Sequence, residues 1–262
     1  MSNELSILLV SVGNTRTAIG LASGPRIERV ERIPNAEQSR SVEMLRSLFG
    51  ENAGDAPLVL IASVNRSVSE PLRRLIVGDL GVRVVQMGVD LPIPVGTSLD
   101  PEARPGQDRL LNAAAAFDRF RQACVVIDAG TALTIDFVDG QGTFHGGAIA
   151  PGAQMQLNAM HAGTDALPQL QMDAPLPESF AGNTTQAMLQ GVYYGIRGAV
   201  RHLAERYAEA YEAYPIIVAT GGDAHLLFDD DELIEHIVDD LPLYGMLAAY
   251  RIAHGAVESA ED

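Results

Sequence analysis

The chain has 262 residues, of which 47% are hydrophobic and 20% charged, with one cysteine and a formal net charge of -16. A chain of that size buries about 75% of its unfolded surface, enough for one large domain or two small ones without disulfide stapling. The lone Cys124 excludes a disulfide framework and a thiolate metal cluster, and the acidity weighs against nucleic acid, whose phosphates must be neutralised by basic residues.

The opening "MSNELSILLV" has no basic region ahead of a long apolar core, and no run reaches the length of a membrane span. A cytoplasmic location without membrane contact is expected. Val- and Ile-rich runs predict buried strands at Ser6 to Val10, Leu58 to Val64, Val82 to Met87, Cys124 to Ile127, Leu133 to Val138 and Ile216 to Ala219. Helical patterns separate them at Ser41 to Phe49, Glu70 to Val77, Arg109 to Phe120, Met155 to Ala162, Thr185 to Tyr211 and Leu243 to His254. This alternation predicts α/β sheets with crossovers packed on their faces. The Pro/Gly-rich stretch from Asp90 to Arg109 is too irregular for regular structure, and its length suits a functional or mobile loop. Acidic clusters in "FDDDELIEHIVDD" and in the final "ESAED" read as solvated faces.

An internal echo organises the chain. "LLVSVGNTRTAIGL" and "VVIDAGTALTIDFV" share an apolar strand, a polar residue, a glycine turn and a threonine four positions later, 117 residues apart. Superposing Gly13 on Gly130 sets Ser11 on Asp128, Asn14 on Thr131 and Thr17 on Thr134. Such a repeat predicts two duplicated halves, residues 1–117 and 118–262, with a ligand cleft between them.

Each turn is suited to phosphate. Its glycine lets the backbone approach a ligand, and the amides and hydroxyls that follow can cradle an anion. In the second turn Asp128 stands at a strand end, where a hard cation needs an oxygen ligand, although an Asp there also caps turns. In "GQDRLLNAAAAF", Asp108 opens a predicted helix, as a cap or as a base, and Arg109 offers a planar fork for a substrate carboxylate. "GTFHGGAIAPG" packs four glycines around an apolar turn before a helix. "VATGGDAHLL" sets Gly221 and Gly222 between a strand and a helix start, as nucleotide sites often do. His161 and Thr164, in "MHAGTDALP", are candidate substrate contacts, though a histidine at a helix end is more often structural.

With these motifs in order, the chain resembles the type III pantothenate kinase family, of the acetate/sugar kinase, Hsp70 and actin superfamily. "GNTRTAIGL" resembles its first phosphate motif, "GQDRLLNAAAAF" its Gly-x-Asp-Arg segment and "DAGTALTIDFV" its second phosphate motif. "GGAIAPG", "HAGTDALP", "GNTTQAMLQGVYYG", "VATGGDAHLL" and "LPLYGML" follow in the family's order.

The resemblance implies two actin-like, ribonuclease H-like halves. It also implies transfer of the ATP γ-phosphate to the terminal hydroxyl of pantothenate, the first step of coenzyme A synthesis. By position, Asp108 is then the general base, and Gly106, Gln107, Asp108, Arg109 and Thr185 contact pantothenate. Ser11, Val12, Gly13, Asn14, Thr15, Arg16, Thr17, Ala18, Thr131, Gly221 and Gly222 contact ATP with its Mg²⁺. Asp128 binds a monovalent cation, potassium or ammonium, and the enzyme is a homodimer. Two positions depart from the family: Ser11 where its first motif has Asp, and Leu99 where it usually has Tyr. They leave open a weak or silent member acting as an accessory protein, and a kinase for another small hydroxy acid.

Overall fold

A computed structural model describes residues 6–24, 26–51 and 58–258. The opening "MSNEL" and residues 259–262 of the acidic end lie outside the described residues. The chain divides into two compact units, the first drawn from Met1–Val95, Glu102–Arg119 and Asp240–Asp262, the second from Gly96–Pro101 and Phe120–Asp239. The first unit takes in the last helix, and the second takes in Gly96–Pro101.

In the first unit, β1 (Ser6–Val12), β2 (Arg16–Ser23), β3 (Arg26–Pro34), β4 (Leu58–Ser63) and β5 (Val84–Gln86) form one sheet in the order β3-β2-β1-β4-β5. β1 runs antiparallel to β2 and parallel to β4. Both β1 and β4 are near-continuous apolar runs because each is covered on both faces. The side-chain alternation of β1 divides the core. Leu8 and Val10 meet helices α1 (Gln38–Glu51) and α2 (Arg66–Asp79) through Leu45, Leu72 and Ile76. Ile7 and Leu9 meet α3 (Gln107–Phe120) and, after the second unit's elements, the last helix (Leu241–Glu258) through Leu111, Met246 and Leu247. β3, "RIERVERIP", is the edge, and its charged residues keep that edge from pairing elsewhere.

The second unit holds β6 (Gly96–Thr97), β7 (Cys124–Ala129), β8 (Ala132–Val138), β9 (Thr143–Pro151), β10 (Ile216–Thr220) and β11 (His236–Ile237), in the order β11-β10-β7-β8-β9-β6. From β9 to β11 this repeats the order and strand directions of the first sheet, with β6 added at the outer edge. The duplication expected from the echo is thus present in the topology. Val125 and Ile127 pack under α4 (Ala153–Ala162) and α5 (Thr184–Tyr211), against Leu157, Val192, Ile196 and Val200. α5 starts where the Asn183 side chain accepts from the Gln186 amide and ends at Glu212 in the left-handed region. α6 (Ala224–Phe228) follows β10, and the last helix, Leu241–Glu258, is α7.

Three expectations are corrected. "GTFHGGAIAPG" is not a turn: Thr143–Pro151 is the strand β9, and Gly152 is the residue that opens α4. The acidic run after Phe228 is not simply a solvated face. Asp231 is buried, and its carboxylate pairs with Arg197 Nε at 3.0 Å and Arg201 Nη2 at 3.4 Å, while Val238 is buried as well. Within the irregular stretch, Gly96–Thr97 pairs with β9, and α3 starts at Gln107.

Candidate active site

In the first unit the candidate residues converge on the end of β4. The turn after β1 is closed by Gly13 N donating to Arg16 O at 2.9 Å. Its start is tied to the strand end, Val64 N donating to Val12 O at 3.0 Å and Asn65 Nδ2 to Asn14 O at 3.4 Å. Asn14, Thr15 and Arg16 are exposed, Ser11 and Ala18 are half-buried, and Val12 and Thr17 are buried. The Gly106–Arg109 segment meets the same strand end. Gln107 accepts from Ser63 N at 3.4 Å and donates to Met87 O at 2.8 Å, which pins the first turn of α3 across the ends of β4 and β5.

Asp108 is the second residue of α3, half-buried, with Oδ1 accepting from Arg109 N at 2.9 Å. That bond keeps the carboxylate over the positive end of the helix. A Cβ on Gly106 would lie 2.5 Å from the same oxygen, so only glycine leaves the carboxylate its place. Arg109 is half-buried beside it.

In the second unit the candidates gather at the end of β7. Asp128 is half-buried and stands in register with Thr220 on one side and Thr134 on the other. Gly130 N donates to Ala132 O, Gly152 N to Thr131 O and Asp223 N to Ala129 O, binding the turn, the start of α4 and the start of α6 together. Gly221 has φ +100, and a Cβ there would lie 2.5 Å from Ala129 O and 2.6 Å from Asp128 Oδ1. Thr131 and Gly222 are exposed at this rim.

His161 is in the last turn of α4, Thr164 follows that helix, and Thr185 is in the first turn of α5. His161 Nδ1 is 2.7 Å from Leu167 O, and Thr164 Oγ1 donates to Met160 O and accepts from Leu167 N. Both side chains therefore hold the turn after α4. Thr185, half-buried in the first turn of α5, neighbours a depression of about 230 Å³ lined in part by Leu176, Phe180, Asn183, Gln186 and Gln190.

The echo slips by one residue past its glycines. Four residues, Gly13 to Arg16, separate the paired Val12 and Thr17, but three, Gly130 to Ala132, separate the paired Ala129 and Leu133. Thr17 is therefore the counterpart of Leu133, and Thr134 that of Ala18. The superposition of Thr17 on Thr134 does not hold, because the second turn closes between Gly130 and Ala132, one residue tighter.

Sequence reasoning missed Asn35. Its side-chain nitrogen donates to Gly13 O at 2.9 Å and Asn14 O at 3.0 Å, its Oδ1 accepts from Thr17 Oγ1 at 2.8 Å, and its backbone N donates to Thr15 O at 2.8 Å. The only signal was an Asn directly after Pro34 at a strand end, which reads equally well as a helix cap.

Residues 7–206 match the sequence model of the type III pantothenate kinase family. The chain belongs to that family. A type III pantothenate kinase of Rhodospirillum rubrum is 34% identical over 253 residues, covering 94% of this chain and 98% of that one. One of Geobacter sulfurreducens is 30% identical over 251 residues, covering 93% and 98%. Among solved structures, a Baf family transcriptional activator from Campylobacter jejuni superposes with a TM-score of 0.63 at 20% identity, covering 95% of this chain and 100% of that one. The activator of the 2-hydroxyisocaproyl-CoA dehydratase from Clostridium difficile, with bound ADPNP, gives 0.55 at 13% identity, covering 98% of each. These two likenesses concern the fold alone, which is that of the actin, sugar kinase and Hsp70 type of ATPase.

In this type III pantothenate kinase family member, Ser11 is flanked in register by Ala18 and Ala62, both small. Leu99 packs on β9, with Cδ2 3.0 Å from where a Gly146 Cβ would be.

Proposed function

We propose that this chain phosphorylates the terminal hydroxyl of pantothenate with ATP. The observation that carries the reading is the meeting of the Gly13 turn and the Gly106–Arg109 segment at the end of β4, in a chain of this family. Phosphoryl transfer requires mainly in-line positioning and charge neutralisation. In the proposed roles the Gly13 to Arg16 turn, Thr131, Gly221 and Gly222 bind the nucleotide. Asp108, oriented by the Arg109 amide and by the space over Gly106, takes the hydroxyl proton. Arg109 binds the pantothenate carboxylate, and Thr185 adds a substrate contact.

Among the described residues no group of three or more His, Cys, Asp or Glu side chains is placed to hold a metal ion. In the proposed reaction Mg²⁺ would enter with the nucleotide, whose phosphate oxygens are ligands that suit it. A monovalent cation fits the end of β7: Asp128 has threonines in register on both sides, and the buried Thr220 Oγ1 has no hydrogen-bond partner among the described residues. Oxygen ligands of that kind suit a hard cation, whose chemistry is to neutralise phosphate charge. A homodimer and a cytoplasmic location are part of the same proposal. Among the described residues no helix is long and apolar enough to cross a membrane.

The deciding experiment incubates the purified chain with pantothenate, ATP, Mg²⁺ and K⁺ and measures 4'-phosphopantothenate by mass spectrometry. Absence of product at high enzyme concentration rejects the reading. A panel of other small hydroxy acids run alongside tests substrate choice, and light scattering tests the dimer.

A further inference from the structure

We infer that Asn35 is the positioning residue that presets the first phosphate loop for the nucleotide, an inference that rests on the proposed kinase function. Its side-chain nitrogen faces two backbone carbonyls, those of Gly13 and Asn14, at 2.9 and 3.0 Å. Carbonyls only accept, so the amide orientation is fixed: nitrogen toward the loop, oxygen toward the hydroxyl of Thr17 at 2.8 Å. Its own backbone N takes the next carbonyl, Thr15 O. One residue thus holds three consecutive carbonyls of the turn.

In a trans peptide the C=O and N–H point opposite ways. Drawing the Gly13 and Asn14 carbonyls onto Asn35 therefore aims the N–H groups of Asn14 and Thr15 away from it. Successive backbone N–H groups aimed alike form an anion-binding concavity, and the anion here is the polyphosphate of a nucleoside triphosphate. The loop reaches this shape without any carboxylate at position 11. Thr17, buried on β2, fixes Asn35 in turn. Asn35 is half-buried and joins β3 to the short 3-10 helix Asn35–Glu37, so the loop is held from a rigid sheet edge.

The test is calorimetric titration of the wild type, Asn35→Ala, Asn35→Asp and Thr17→Val with the magnesium salt of a nonhydrolysable ATP analogue, with steady-state kinetics alongside. Losing two hydrogen bonds of ordinary strength should weaken nucleotide binding about tenfold in Asn35→Ala. Asn35→Asp, which turns a carboxylate oxygen toward two carbonyls, should weaken it further, and Thr17→Val should weaken it less than either. The KM for pantothenate should stay unchanged in all three, as a merely structural role would not predict.

Nucleotide affinity equal to wild type in Asn35→Ala overturns the inference, and so does an equal loss toward both substrates. Should Asn35→Asp fail to fold, Asn35→Ala and Thr17→Val decide. A wild type that binds nucleotide in an Asn35-dependent way yet makes no phosphopantothenate leaves this inference standing and rejects the proposed substrate. A wild type that binds no nucleotide rejects both.

Discussion

Asp128 on β7 stands directly opposite Thr134 on β8, whereas at the matching place of the first hairpin Ser11 stands opposite Ala18. On the parallel side the neighbours are Thr220 in one sheet and Ala62 in the other. Residues in register on adjacent strands share a face. The second sheet therefore ends in a row of three oxygen-bearing side chains, and the first in a single hydroxyl between two methyl groups. The duplicated halves have kept the same frame and divided the chemistry: fixed negative charge stands in the second row alone.

That division makes Ser11→Asp informative. The two in-register neighbours add only methyl groups beside position 11, and a charge-assisted contact to hydrated Mg²⁺ contributes roughly 1.5 to 3 kcal/mol. The substitution should raise kcat/KM for ATP on the order of ten- to a hundred-fold. Steady-state kinetics over a range of Mg²⁺ checks this. An unchanged or lower rate would mean that the loop held by Asn35 has been built around the hydroxyl.

The place of the Asp108 carboxylate depends on the missing side chain at position 106. Gly106→Ala puts a methyl 2.5 Å from Oδ1, so the carboxylate must turn away from the hydroxyl it is proposed to deprotonate. Asp108→Asn should lower kcat by about 10² to 10⁴, the ordinary scale of general-base catalysis. Gly106→Ala should give part of that loss with nucleotide affinity preserved. Equal kcat in wild type and Gly106→Ala would refute the steric account.

Much of the frame was legible in the sequence because buried strands and amphipathic helices leave strong periodic signals. β1, β4, β7, β10 and the helices α1 to α5 and α7 fall where apolar runs and helical spacing put them. The strands β2, β3 and β9 did not. β2 is rich in small and hydroxyl residues, β3 is a charged edge, and β9 has glycine or alanine at four of its nine positions, so each owes its strand state to pairing with a neighbour rather than to its own pattern. The motifs of the site were visible as glycine turns beside polar residues. Asn35 was not, because its role comes from contacts with residues 13 to 17, which only the β2–β3 register brings beside it. Likewise Asp231 sits in an acidic run whose partners, Arg197 and Arg201, are on α5.

Acid stability should report on Asp139, at the turn between β8 and β9. Its burial favours the neutral acid. The His145 ring, 2.8 Å away, and the backbone amides of Thr143 and Gln141 outweigh burial and hold the carboxyl below its ordinary range. A group whose folded pKa is lowered stabilises the fold above its unfolded value, about 3.9, and loses that contribution as the pH falls through the folded value. Asp139→Asn should therefore lower stability at neutral pH and flatten the loss below about pH 4. Urea unfolding followed between pH 2 and 6 distinguishes the two, and parallel acid limbs would exclude the role.

β10 ends against β7 at a crossing that holds a glycine. Gly221 has φ +100, beyond the left-handed region in which other residues are tolerated, and a Cβ would lie 2.5 Å from Ala129 O and 2.6 Å from Asp128 Oδ1. Both atoms belong to the strand that carries the proposed cation ligand, so the methyl of Gly221→Ala cannot be accommodated by a moving side chain alone. Backbone strain and overpacking each cost about 1 to 3 kcal/mol. A comparison is available on α5, where nothing lies within 4 Å of a Cβ on the exposed Gly191. Gly191→Ala should stabilise by up to about 1 kcal/mol through helix propensity. Thermal unfolding should thus move in opposite directions for the two glycine-to-alanine changes, and Gly221→Ala should also weaken the proposed response of activity to K⁺, because Asp128 is displaced. A Gly221→Ala protein that melts with the wild type would show that the strand end yields, and with it the rigidity on which the proposed cation site depends.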